Sequence, residues 1–391
     1  MPQRQISSHP DLSVLVIRRN LPFVMRRVAH RGRGMITLAL AFLVLPVSAA
    51  EIRSTDDARI EARRGTDGWR LDGPSLSTAI DLPTTALVHD LRWVADRWFV
   101  AAIDGEGVDA RIVLATGSAS DGDRLPGPAP MPGFLRRAPT LLVEPTRGVP
   151  EALAWLEGHD PRQLEVRSAR WLGAGWSEPI TVATPAVGTQ TALDAARLDD
   201  GSWLLVWSAF DGLDDDILWS RFADGAWSAP AALTADDRFD VTPSVRAVEG
   251  GAVAVWSGDD GGDYRLEAAR FDAATGRWGD AVTFGGRGAF DPELSTLIPA
   301  AAKAASSDGA ASGGPLLLTY RQEVPRAWVV AELSTDGTVA RSASAEAAMR
   351  RPRVLAVDTD GVRIAAPRTA DSTVKRLDRE PVLLRWEAPA D

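Results

Sequence analysis

Ser220-Arg221-Phe222-Ala223-Asp224-Gly225-Ala226-Trp227-Ser228-Ala229-Pro230 is the stretch on which the fold turns. It closes an apolar strand, reverses at Ala223-Asp224-Gly225, and opens a second strand on a tryptophan. The glycine supplies the positive φ that a tight hairpin needs. The arrangement recurs on both sides. Ala169-Arg170-Trp171 leads to Gly175-Trp176-Ser177-Glu178-Pro179, and Ala269-Arg270-Phe271 leads to Gly276-Arg277-Trp278-Gly279. Trp176, Trp227 and Trp278 are thus spaced by 51 residues at each step. A second series, Trp155, Trp207 and Trp256, steps by 52 and 49. Phe239-Asp240 and Phe290-Asp291 again lie 51 apart. Three registers sharing one period are the mark of a repeat architecture.

Within one period the pattern is that of strands. Ala192 to Leu198, Ser202 to Ser208 and Asp216 to Phe222 read as three strands, and Trp227 to Leu233 begins a fourth. The second is apolar on both faces, as a strand sandwiched between neighbouring sheets must be. Four short antiparallel strands per period make one blade of a β-propeller. First-two-strand units near 85–103, 138–156, 191–208, 242–257, 294–321 and 352–367 count six blades. Lys303 to Gly314 swells the fifth as a small-residue insertion. Ile60 to Gly73 reads as the later half of a blade, and Val382 to Trp386 as a third strand. The expectation is therefore an all-β, six-bladed propeller of four-stranded antiparallel blades, its last blade completed by N-terminal strands. Seven blades result instead if 51–75 makes a sheet of its own.

The N-terminus has the composition of an export signal. Arg26, Arg27, Arg31 and Arg33 precede the apolar run Met35 to Val47, and small-x-small sites end at Ala49 and Ala50. The run is too short to span a membrane. The expected organisation is a signal peptide over 1–50, translation starting at Met25, and a single propeller domain over 51–391. The expected location is the periplasm or the exterior. The whole chain has a formal charge of −10. Loss of 1–50 removes seven Arg and one Asp and brings it to about −16, which argues against nucleic acid and anionic lipid as partners. There is no cysteine, and so no disulfide or thiolate metal site.

At Asp224-Gly225-Ala226-Trp227 with Ser228 and Pro230, and at Trp176-Ser177 with Pro179 and Asp67-Gly68-Trp69, the chain resembles the sialidase-superfamily propellers with BNR or Asp-box repeats. No segment carries the full Ser-x-Asp-x-Gly-x-x-Trp spacing. The resemblance implies the fold; its Asp box is a structural turn remote from the active face and does not vouch for catalysis. Sialidases clamp a carboxylate with Arg residues and attack through a Tyr. This chain has only Tyr264 and Tyr320. Tyr320-Arg321, at the end of a second strand, are the catalytic candidates under that resemblance, although the family's Arg-Ile-Pro motif has no counterpart.

The loops joining strands two to three and four to one form the usual ligand face, and they are acidic here. Asp211, Asp214 and Asp216 occupy one such loop, Asp259 and Asp263 the next, and His159 the corresponding place in the preceding blade. Asp240 and Asp291 recur at the four-to-one connections. Such carboxylates can hold Ca²⁺, although neither loop has EF-hand spacing. There is no zinc signature, nucleophile elbow, P-loop or dinucleotide fingerprint, and no cofactor is expected. Three functions follow: a noncatalytic binding module for a glycan, peptide or protein; a glycoside hydrolase of sialidase-like type; or an envelope assembly scaffold.

Overall fold

The computed structural model describes residues 51–53, 57, 59–73, 76–129, 133–185, 187–259, 261–296, 316–346, 351–365 and 382–387. The expected signal peptide over 1–50, the Lys303 to Gly314 insertion and Asp260 lie outside them. Seven antiparallel sheets succeed one another along the chain as the blades of a propeller. Blade 1 is Glu51–Arg53, Glu61–Gly65, Gly68–Gly73 and Leu76–Ile80. Blade 2 is Leu87–Val94, Arg97–Asp104, Arg111–Gly117 and Gly122–Leu125. Blade 3 is Leu135–Glu144, Val149–Gly158, Glu165–Arg170 and Ile180–Ala183. Blade 4 is Gln190–Arg197, Trp203–Phe210, Asp215–Ala223 and a broken outer edge at Ala226–Trp227 and Ala231–Ala232. Blade 5 is Asp240–Val248, Gly251–Asp259, Tyr264–Asp272, with outer pieces Arg277–Trp278 and Val282–Phe284. Blade 6 is Phe290–Thr296, Leu316–Gln322, Ala327–Leu333 and Val339–Glu346, and blade 7 is Arg353–Val357, Gly361–Ala365 and Val382–Arg385. The only helical segment among the described residues is a 3-10 turn at Gly107–Asp109, and none of their helices is long and apolar enough to cross a membrane.

The blade count is seven, not six. Residues 51–80 do not complete the last blade but form a four-stranded sheet of their own. The reason is the wedge they fill. Trp69, Leu71 and Ile80 are buried against Leu91, Trp93 and Trp98 of blade 2. Those side chains need a whole sheet to cover them, and one borrowed strand would leave them wet. Val382–Arg385 is the third strand of blade 7, with no N-terminal strand beside it among the described residues.

The periodic tryptophans take equivalent places. Trp155, Trp207 and Trp256 sit in second strands, at most 1% exposed, and fill the space between adjacent sheets. Trp176, Trp227 and Trp278 start the outer edge and pack on the last aromatic of the strand before: Trp171 at 5.1 Å, Phe222 at 5.3 Å and Phe271 at 5.2 Å. Ser177 and Ser228 close the turn by accepting the Arg170 and Arg221 backbone N–H groups at 3.0 and 3.1 Å. Arg170 and Arg221 then reach over Phe222 and Phe271 of the following blade.

Candidate functional site: the acidic face of blades 4 and 5

Each first strand of blades 3 to 6 carries a bulge, and the bulges set the side chains around the middle of the ring. Ala138, Ala192, Thr242 and Asp291 have φ of 46°, 44°, 54° and 61°, values a non-glycine residue adopts only when its surroundings hold it there. Two residues later stands an oxygen-bearing side chain, Thr140, Asp194, Ser244 or Glu293; Thr140 bonds back to Asp90 of blade 2, whereas those of blades 4 and 5 reach the next blade. Asp194 accepts the Val245 N–H at 2.9 Å, and Ser244 accepts the Leu294 N–H at 3.1 Å. Asp90 of blade 2 accepts the Leu141 N–H at 2.7 Å. Arg92 pairs with Asp90 at 2.9 Å and reaches Asp194 at 3.4 Å, and Arg246 meets Asp194 from the other side at 3.2 Å. This belt of buried charge locks blades 2 to 5 together and fixes the loops above them.

On that support stands a cluster of carboxylates. The second-to-third connection of blade 4 turns on Asp211, whose side chain accepts the Leu213 N–H at 2.7 Å. One oxygen each of Asp211, Asp214 and Asp216 lies within 4.8 Å of the others, an arrangement a hard cation can bridge. Thr234 donates to Asp216 at 3.2 Å. Asp215, 2% exposed, leaves one oxygen without a hydrogen bond, and Asp240, fully buried, leaves both. Burial pushes Asp215 up to about 7, helped by repulsion from Asp214, Asp216 and Asp211. Burial likewise raises Asp240 to about 7, with Glu267 and Asp236 adding to it and Thr234 and Arg238 opposing. Arg238 forks between Asp236 at 2.8 Å and buried Glu267 at 2.6 Å. Gly258 gives these groups room: a Cβ there would stand 2.9 Å from Asp240 Oδ1 and 3.0 Å from Glu267 Oε1. Tyr264 is raised to about 12 by burial and by Asp259, Asp215 and Asp240.

The other residues singled out in the sequence are dispersed. Asp259 accepts the Gly262 N–H at 2.6 Å and shapes its own turn. Asp263 pairs with exposed Arg287 at 2.7 Å, and Asp291 with Arg351 at 3.0 Å. His159 caps the Gly133 carbonyl at 3.0 Å and packs on Phe134 in blade 3. Tyr320 is buried in the core between blades 5 and 6, its hydroxyl raised to about 12 by burial. Arg321, next to it on the strand, faces the other way, is 45% exposed and lies 3.6 Å from Glu323. Asp215, Glu267, Arg238 and the inner belt were not singled out. The belt has a signal: Ala138-Pro139-Thr140, Thr242-Pro243-Ser244 and Asp291-Pro292-Glu293 repeat a residue, a proline and an oxygen side chain at period.

No family model matches the chain, and no curated protein matches it. Among solved structures, a lectin from Burkholderia pseudomallei superposes with a TM-score of 0.52 at 12% identity, over 87% of this chain and 97% of that one. An alpha-L-arabinanase from Penicillium chrysogenum, complexed with arabinobiose, gives 0.47 at 11% identity, over 78% and 94%. A puromycin-hydrolyzing peptidase from Mycobacterium tuberculosis gives 0.46 at 14% identity, over 81% of this chain and 49% of that one. At 12% identity the likeness to the lectin is one of fold alone.

Proposed function

We propose that this is an exported, sialidase-like propeller that binds a glycan without turning it over, on the acidic face of blades 4 and 5. One observation carries the reading. Asp211, Asp214, Asp215, Asp216 and Asp240 gather there with an excess of hydrogen-bond acceptors; beside the Leu213 and Asp214 N–H groups that Asp211 accepts, the nearby side-chain donors are Thr234 and Arg238. A neutral polyhydroxyl ligand supplies the missing donors, each hydroxyl donating to a carboxylate. A sugar-binding neighbour among propellers of the same fold is compatible with this. Asp211 and Asp216 are the accessible contacts; Asp214, Asp215 and Asp240 lie behind them.

The test is a glycan array followed by calorimetric titration of the hits. The D211N/D216N double variant is expected to weaken binding about tenfold or more, the size of losing one or two charge-assisted hydrogen bonds. Undiminished binding in that variant sinks the reading. Repeating the titration in EDTA separates direct contact from contact through Ca²⁺ bridging Asp211, Asp214 and Asp216.

A hydrolase on the same face is the second reading, favoured by the raised Asp215 and Asp240 beside further carboxylates, an environment that can keep a carboxylic acid protonated for general-acid work. Turnover of aryl glycosides that disappears in D240N, with binding retained, would replace the first reading by this one. Export is tested separately, by fractionating cells that express the full chain and sequencing the mature N-terminus for a start near Ala50 or Glu51.

A further inference from the structure

Between blades 2 and 3, among the loops that join strands one to two and three to four, lies a cleft of about 280 Å³. Its surface is unlike that of the acidic face. Phe99, Val149, Pro150 and Trp171 supply apolar walls, Arg97 and Arg147 supply charge, and Thr116 completes the lining. The Arg97 charge is felt by Asp121. Arg147 is 74% exposed; its side chain meets Glu144 through Nε at 3.3 Å, and its backbone N–H donates to the same carboxylate at 2.5 Å. Gly148 lets the two guanidinium-bearing segments approach: at φ +56° it closes the turn, and a Cβ would stand 3.2 Å from the Val94 carbonyl and 3.4 Å from Arg97 Cδ. Trp171 is braced by Trp176 at 5.1 Å, and the Trp176 indole is anchored on the Pro126 carbonyl at 2.7 Å. Thr116 is 5% exposed, and its hydroxyl has no hydrogen-bond partner.

From this juxtaposition we propose that the cleft is a second binding site, for a ring-sized organic carboxylate, of which the uronate unit of an acidic saccharide is the extracellular form. A guanidinium pairs with a carboxylate through two parallel hydrogen bonds. An indole takes the apolar face of a ring. A buried hydroxyl without a partner gains a hydrogen bond when a ligand hydroxyl reaches it. The volume is at the small end of ligand pockets and suits one ring rather than a chain.

The experiment is calorimetric titration of the full chain with sodium D-glucuronate at low ionic strength, against D-glucose and sodium acetate. Glucuronate is expected to bind at least about tenfold more tightly than either, because only it offers both carboxylate and ring. R97A and W171A are each expected to weaken it about tenfold. R97K, which keeps charge and fold but loses the fork, is expected to weaken it about threefold. T116V separates a binding role from a structural one: it is expected to weaken glucuronate while leaving the melting temperature unchanged or higher, since it removes an unsatisfied hydroxyl. R363A, at an exposed arginine of blade 7 outside both sites, is expected to change nothing. Equal binding of glucose, equal binding of acetate, or wild-type affinity in both R97A and W171A overturns the proposal.

Discussion

Asp194 is the residue on which the middle of the ring closes. One carboxylate accepts the Val245 N–H and the Ser244 hydroxyl and faces Arg92 and Arg246 from two other blades. Both arginines are at most 6% exposed. Removing the acid takes a carboxylate away from two desolvated arginines, of which Arg92 keeps Asp90 at 2.9 Å, and a buried ion pair broken on one side costs about 3–5 kcal/mol. D194A is therefore expected to lose about that much stability in chemical denaturation. D194N, which keeps the hydrogen-bond acceptor, is expected to lose less. Equal, small losses in both variants would mean that the belt is ornamental to the fold. Asp194 was not legible in the sequence, because nothing local distinguishes it from a solvated aspartate. Its meaning comes from the bulge at Ala192, which redirects a side chain that simple alternation would assign to the strand's face.

At the scale of the element, the outer hairpins and the second strands were legible, and the acidic connections were legible only as composition. A turn such as Asp224-Gly225 is decided by its own residues, and a strand such as Trp203–Phe210 by its own apolar run. That Asp215 and Asp240 both act on Tyr264 depends on two blades meeting, so no spacing within one period announces it. The burial of these two acids has a measurable consequence. Both carboxyls have folded values near 7, above the ordinary aspartate range. Between about pH 4 and pH 7 the folded chain holds protons that the unfolded chain has released. The stabilisation these groups give is complete below the unfolded value and is lost as pH rises through 7. The protein is thus expected to melt higher at pH 5.5 than at pH 8. D240N, neutral at every pH, is expected to gain on the order of 2 kcal/mol at pH 8 and to flatten the profile. A profile that rises between pH 5.5 and 8, or one that D240N leaves unchanged, would show that these carboxyls are ionised and solvated in the folded protein.

At the scale of the whole molecule, the ring was legible and its closure was not. The 51-residue beat is a property of neighbours, and blades 3 to 5 carry it in Trp176, Trp227 and Trp278. How the two ends meet depends on blade 1, whose short strands depart from the consensus as a terminal repeat does. Blade 1 shields a large apolar face, since Trp69 and Ile80 cover Trp93, Trp98 and Leu91 of blade 2. Deleting 51–80 would expose that face, and with it more apolar surface than a monomer tolerates. A chain beginning at Asp81 is therefore expected to aggregate or to unfold without a cooperative transition. A chain beginning at Glu51 is expected to give one transition by circular dichroism and by tryptophan fluorescence alike. The outcome that matters is the midpoint of the shorter chain. Were it to melt cooperatively within a few degrees of the longer one, blades 2 to 7 would be a complete ring, and residues 51–80 an appendage to it.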